Sequence, residues 1–223
     1  MNSFAGQVLS FYQQLPSPPQ VPSGVQVLYP HQNPKAWEAM DQFYRKYYHD
    51  DHHRTFLIGI NPGRLGAGTT GVPFTDPIRL KTVCGIDNDF DQKAELSSKF
   101  IYHMIEAMKG PENFYRTHYV TSVSPLGFTK DGKNLNYYDL KELQETWEPF
   151  MVECLKKQIA FGANPKAFSL GRGKNIKYLN YLNEKYRLFK EIVPLPHPRW
   201  VMQYRLKRLN EFVEEYREKL THP

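Results

Sequence analysis

Residues 56–74 constrain this chain more tightly than any other stretch. An apolar run from Phe56 to Ile60 stops at Asn61-Pro62-Gly63, and a glycine-rich loop follows that ends in an aromatic residue, Phe74. A short apolar run cut off by turn residues reads as a buried strand, and open α/β sheets place their sites at the carboxyl edge of such strands. What arrives there is an amide side chain, an exposed backbone and one ring. That set suits a flat heterocycle: Asn61 at the strand end, Phe74 to stack, and glycines, Gly63 among them, that let backbone N–H groups come close.

Two phosphate-binding readings fail on their own mechanics. Gly66, Gly68 and Gly71 have dinucleotide-loop spacing, but that loop must open directly into a helix, and Pro73 and Pro77 argue against one. Around Gly173-Lys174 a phosphate loop needs glycine where Phe168 stands and a hydroxyl residue where Asn175 stands.

With 223 residues the chain is long enough for one substantial domain, expected to span 1–223 with residues 1–24 as an N-terminal extension. Its two cysteines, Cys84 and Cys154, are far apart and lack partner motifs, which argues against a disulfide scaffold, a zinc site or an iron–sulfur cluster. No cofactor or metal is expected; the His49-Asp-Asp-His-His53 segment looks ligand-like in composition but precedes the first strand, away from the sheet edge. The chain shows no leader and no apolar run of spanning length, so a soluble, cytoplasmic, nucleoid-associated monomer is the expectation. A net charge of +6 with 14% aromatic residues is compatible with a polyanionic partner.

The remaining pattern alternates short apolar strands with helical periods. Helices are expected over 3–15, from Asn33-Pro34 through Tyr47, over 93–108, 140–161 (kinked at Pro149), 174–186 and 202–219, the last packing Leu206, Leu209, Val213 and Tyr216. Strands are expected at 56–60, 118–123, 167–170 and 191–193. Such alternation predicts an α/β fold, a three-layer α/β/α sandwich around a central four-stranded, mostly parallel sheet. Three strand ends, at Asn61, Ser122–Ser124 and His197, then meet at one edge.

Gly59-Ile-Asn-Pro-Gly63, Thr70-Gly-Val-Pro-Phe74, Thr121-Ser-Val-Ser-Pro-Leu126 and His197-Pro198 together resemble the uracil-DNA glycosylase superfamily over roughly residues 25–215. Within it the chain is most similar to the single-strand-selective monofunctional uracil-DNA glycosylases, in particular a bacterial subgroup. The resemblance implies DNA as partner and a base-excision repair activity. Carried over by position, it makes Asn61 the residue that orients the attacking water and His197 the donor to the base O2 as negative charge develops there. Phe74 becomes the stacking platform, with Gly63 and neighbouring N–H groups as the pocket floor.

Elementary chemistry agrees. N-glycosidic cleavage passes through an oxocarbenium-like sugar, so stabilising the departing base anion lowers the barrier without a metal or a strong nucleophile. One well-aimed hydrogen bond in a dry site contributes about 3 kcal/mol in comparable anion holes. An amide holds water but takes no proton, and no lysine occupies these motif positions, which points to hydrolysis without a lyase step. A base must leave the stack to be read, at a cost of a few kcal/mol. The segment after His197 offers Trp200, Met202 and Tyr204 to fill the gap, with Arg199, Arg205 and the loop's Arg64 for phosphates.

Two departures from the family pattern matter. Where related enzymes carry an asparagine that reads the uracil edge, this chain has Ser122, whose hydroxyl lacks the amide's paired donor and acceptor; the expected substrates widen to deaminated purines such as xanthine and hypoxanthine. The Ser-Pro-Arg-Asn continuation after His-Pro is also absent. The competing expectations are a mismatch-specific thymine/uracil glycosylase and a catalytically inactive module that binds damaged or single-stranded DNA by stacking.

Overall fold

The uninterrupted apolar character of Phe56-Leu-Ile58 suits a strand covered on both faces, and all three side chains are buried completely in the central sheet. The computed structural model describes residues 3–221. In chain order the elements are α1 (Phe4–Gln13), β1 (Val25–Leu28), α2 (Pro34–Tyr47), β2 (Arg54–Gly59), α3 (Ala67–Thr70), α4 (Pro77–Thr82), α5 (Leu96–Ala107), α6 (Pro111–Thr117), β3 (His118–Ser122), β4 (Gly127–Lys130), β5 (Lys133–Leu135), α7 (Lys141–Ile159), β6 (Ala163–Leu170), α8 (Lys174–Tyr186), β7 (Glu191–Leu195), α9 (Pro198–Tyr204) and α10 (Leu209–Thr221).

The main sheet has four strands in the order β3-β2-β6-β7, all parallel, with Ile58 opposite both Thr121 and Ser169 and with Phe168 opposite Val193. Helices pack on it to make a three-layer α/β/α sandwich. One group joins α1 to α2 and α7, and another joins α5 to α9 and α10. Alternation along β3 sends Tyr119 and Thr121 to the same face, where both hydroxyls donate to Gln158 of α7 and Phe4 of α1 rests against the Tyr119 ring. The N-terminal segment is therefore part of the core: Phe4, Val8, Leu9, Phe11 and Tyr12 are buried, and Ser3 caps the helix by accepting from the Gly6 N–H.

Three features differ from the sequence expectation. A second, three-stranded sheet, β1-β4-β5, is antiparallel. Its hairpin turns at Asp131-Gly132, both with positive φ (50° and 69°), the conformation that Asp-Gly adopts in a two-residue turn. The expected helix over 202–219 is two helices, broken across Arg205–Arg208. The break leaves Leu206 56% exposed, and α10 buries Phe212, Tyr216 and Leu220. Within the glycine-rich loop Ala67–Thr70 form the one-turn helix α3, and Pro77, expected to argue against a helix, opens α4 at the first-turn position, where a missing N–H costs nothing, with Asp76 as cap. The helix α7 runs through Pro149 from Lys141 to Ile159.

The acidic, histidine-rich segment before β2 is built around Arg54. That guanidinium is fully buried, pairs with Asp50 at 2.8 Å, donates to the Tyr115 and His52 carbonyls, and lies over the Phe4 and Tyr48 rings at 4.5 and 4.8 Å. Removing the carboxylate strands a buried cation. Asp50→Ala is expected to cost about 2 kcal/mol in urea unfolding, and His53→Ala less than about 0.5 kcal/mol.

Candidate active site

The strand ends converge as the topology requires. Asn61 follows β2, Ser122 and Ser124 close β3, Asn175 follows β6 and His197 follows β7, and all of them line one cavity of about 620 Å³. Gly63, Phe74, Arg199, Trp200 and Tyr204 line it too. Arg64, Met202 and Arg205 do not: Arg64 faces solvent, Met202 is half-buried against the core, and the Arg205 guanidinium stacks on the Trp200 ring at 4.8 Å.

Phe74 forms the floor beside β2. Its ring edge occupies the space where a Cβ on Gly59 would sit (2.6 Å), with the Ser122 hydroxyl 3.2 Å from the same point, so glycine at the strand end admits the ring. Phe74 holds a positive φ of 53°, unusual for a bulky residue. The fully buried Thr70 enforces it, its hydroxyl donating to the Thr75 carbonyl at 2.7 Å and accepting from the Val72 N–H at 3.1 Å.

His197 caps α9. Its Nδ1 accepts from the Arg199 N–H at 3.2 Å, which assigns the proton of the neutral ring to Nε2. Burial, aided by the Arg199 charge, pushes the imidazole down to about 4. At neutral pH the site thus holds an uncharged N–H donor fixed at the end of β7.

Asn61 is tied on both ends of its amide. Nδ2 donates to the Leu135 carbonyl at 3.1 Å, and Oδ1 accepts from the Tyr137 N–H at 3.1 Å. One lone pair of Oδ1 is left for a water. Tyr137 continues the network, donating its hydroxyl to Asn175 Oδ1, while Asn175 Nδ2 donates to the Ile58 carbonyl and Ser169 Oγ. The small sheet, whose last strand ends at Leu135 and leads into Tyr137, is pressed on the site loop where the Pro62 carbonyl leaves no room for a Cβ at Gly127.

Sequence reasoning missed several cavity residues: Asn175, Asn134, Glu95, His31 and Lys174. Asn134 accepts from the Arg64 N–H and so shapes the loop. His31 is buried with neither ring nitrogen partnered among the described residues, and burial pushes it down to about 3. Glu95 turns its carboxyl against Gly63 and Gly66, and burial next to Asp76 pushes it up to about 7. The Asp-Gly turn before Asn134 is a signal that could have been used; Glu95 sits in a charged loop with no pattern of its own.

The strand ends of one parallel sheet thus gather an aromatic ring, an amide and a neutral imidazole around a single cavity. The family model of the uracil DNA glycosylase superfamily matches residues 46–221, and the chain belongs to that superfamily. Its structure is similar to the crystal structure of wild-type SMUG2 from Pedobacter heparinus, with a TM-score of 0.96 and 39% identity over 99% of this chain and 98% of that one. No curated protein matches. The protein is a DNA glycosylase of the uracil-DNA type, a hydrolase of N-glycosyl bonds in base excision repair whose macromolecular substrate is DNA. No helix among the described residues is long and apolar enough to cross a membrane.

Proposed function

We propose that this glycosylase removes uracil and the deaminated purines xanthine and hypoxanthine from DNA by direct hydrolysis, acting as a monomer in the cytoplasm on nucleoid DNA. The observation that carries the reading is the convergence of His197, Asn61 and Phe74 on one cavity that Ser122 also lines, at the position where the family resemblance implies an asparagine. The extruded base stacks on Phe74. The His197 Nε2–H, uncharged beforehand, strengthens its hydrogen bond as the base takes on negative charge, and Asn61 holds the water that closes on C1′. A neutral donor leaves the protonation of the leaving base to water or to another acid.

The rim of the cavity supports DNA engagement. Trp200 is anchored edge-on to Phe212 and covered by Arg205, whereas Tyr204 and Leu206 are 59% and 56% exposed. These two are the gap fillers of this reading, and Arg199 and Arg64 take phosphates. Lys207 offers further positive charge; Arg208 is occupied by Glu211.

End-labelled oligonucleotides carrying uracil, xanthine, hypoxanthine or a G·T mismatch, single- and double-stranded, test the reading through alkali cleavage of abasic sites. Cleavage confined to mismatched duplex supports the thymine/uracil alternative, and DNA binding without any cleavage supports the inactive module. Lys174 lines the cavity, exposed and over the Tyr138 ring at 5.4 Å. Borohydride trapping should capture no covalent adduct; an adduct lost on Lys174→Ala would replace hydrolysis with a lyase mechanism. Ser122→Asn is expected to raise the ratio of uracil to xanthine release by at least about tenfold, because an amide pairs with the uracil edge and narrows the pocket.

A further inference from the structure

One side chain lies against two glycines of the site loop. A Cβ on Gly63 would stand 2.9 Å from Glu95 Oε1, and a Cβ on Gly66 would collide with the other carboxyl oxygen. The Glu95 carboxyl is folded against the loop at both places, inside the cavity that holds Asn61 and His197. Among the described residues nothing donates a hydrogen bond or a salt bridge to this carboxyl. A half-buried carboxyl without a partner costs stability, and its presence in a cleft marks a working group.

We propose that Glu95 is the catalytic base of this site, taking the proton from the water that attacks C1′. The proposal rests on the glycosylase reading above. Asn61 has one lone pair left to orient that water and, as an amide, accepts no proton. In the step, the N-glycosidic bond breaks with its electron pair on the base, and the water oxygen bonds to C1′. One water proton passes to Glu95, and the base anion, held by the His197 Nε2–H, takes a proton from the neutral Glu95 carboxyl or from solvent as it leaves.

The surroundings tune the group for this work. Asp76, the cap of α4, accepts from the Glu95 backbone N–H at 2.9 Å, pairs with Arg79, and opposes ionisation of the Glu95 carboxyl. Arg199 of α9 favours ionisation, and the loop's own charge, Arg64, faces solvent. Burial dominates and places the group at about 7, where a base is both available and effective at neutral pH.

Single-turnover release of uracil from a labelled oligonucleotide, followed from about pH 5.5 to about pH 8.5, tests the assignment. The wild-type rate should climb with pH through an inflection near ~7 and level off above about pH 8. E95Q should lose about 10²-fold at the plateau and flatten the profile, with DNA affinity and thermal midpoint retained, and Glu95→Asp should restore an inflection. E95Q that is folded and keeps the wild-type rate and inflection overturns the assignment alone. Should E95Q not fold, an Asp variant without any inflection overturns it equally. A wild type that releases no base overturns the glycosylase reading, and the assignment with it.

Discussion

Replacing His197 with alanine is expected to slow base release by about 10²–10³-fold while changing DNA affinity by less than about threefold. The asymmetry follows from what the ring does. Its Nδ1 is committed to the Arg199 N–H, so the only polar atom it offers a substrate is Nε2–H. Against a neutral base that hydrogen bond is ordinary; against the anionic leaving group in a desolvated cavity it is worth ~3–4 kcal/mol more. The loss should therefore fall on the single-turnover rate rather than on binding. Because burial holds the imidazole down to about 4, this contribution does not titrate across neutral pH, and His197→Ala should keep the wild-type inflection attributed to Glu95. A histidine whose folded value is depressed binds fewer protons than the unfolded chain between about 4 and its ordinary 6.5, so its neutral form stabilises the fold above that window and the stability is lost as pH falls through it. The alanine variant should therefore unfold less steeply with acid than wild type. A folded His197→Ala enzyme with wild-type single-turnover rates would remove His197 from the chemistry.

The parts of this molecule that were legible in the sequence are those where local pattern and global fold agree. Phe56-Leu-Ile58 is a continuous apolar run and a doubly covered strand; Asn61, Ser122 and His197 each stand where an apolar run ends, so topology alone brings them to one edge. What escaped was tertiary. The edge strand β1 lies in a Pro-rich stretch and becomes a strand only by pairing with β4. The C-terminal period is carried by Phe212, Tyr216 and Leu220 as well as by Leu206, and periodicity alone does not say which set a break will favour. Met202 reads as a wedge candidate by type, yet its place on the short helix α9 turns it toward the core. Glu95 is the sharpest case. A glutamate in a charged loop is ordinary in sequence, and only the fold brings it against Gly63 and Gly66 as a half-buried carboxyl in the cavity.

Asn61→Ala is expected to fail twice, in rate and in stability. If the amide served only to hold water, truncation would leave the fold untouched. Its real partners are the Leu135 carbonyl and the Tyr137 N–H, and both lose a bond on truncation. Each such orphaned group costs about 1–3 kcal/mol when water does not reach it, so a drop of ~2 kcal/mol in unfolding free energy is expected, because the site is half open to solvent. The rate of base release should fall by about 10²–10³-fold even under conditions where the variant is fully folded, because an unheld water loses the alignment that an oriented site supplies. Comparing the two losses separates the roles. A normal rate at low temperature with a lowered unfolding midpoint would make Asn61 a tie for residues 135–137 and nothing more. A lost rate with an unchanged midpoint would mean that the small sheet stays docked without it, held at Gly127 and Pro62, and that the amide serves the water alone. The geometry predicts the combined result: the side chain that ties Leu135 and Tyr137 to the end of β2 also lines the cavity, so one truncation is expected both to loosen the loop and to release the water.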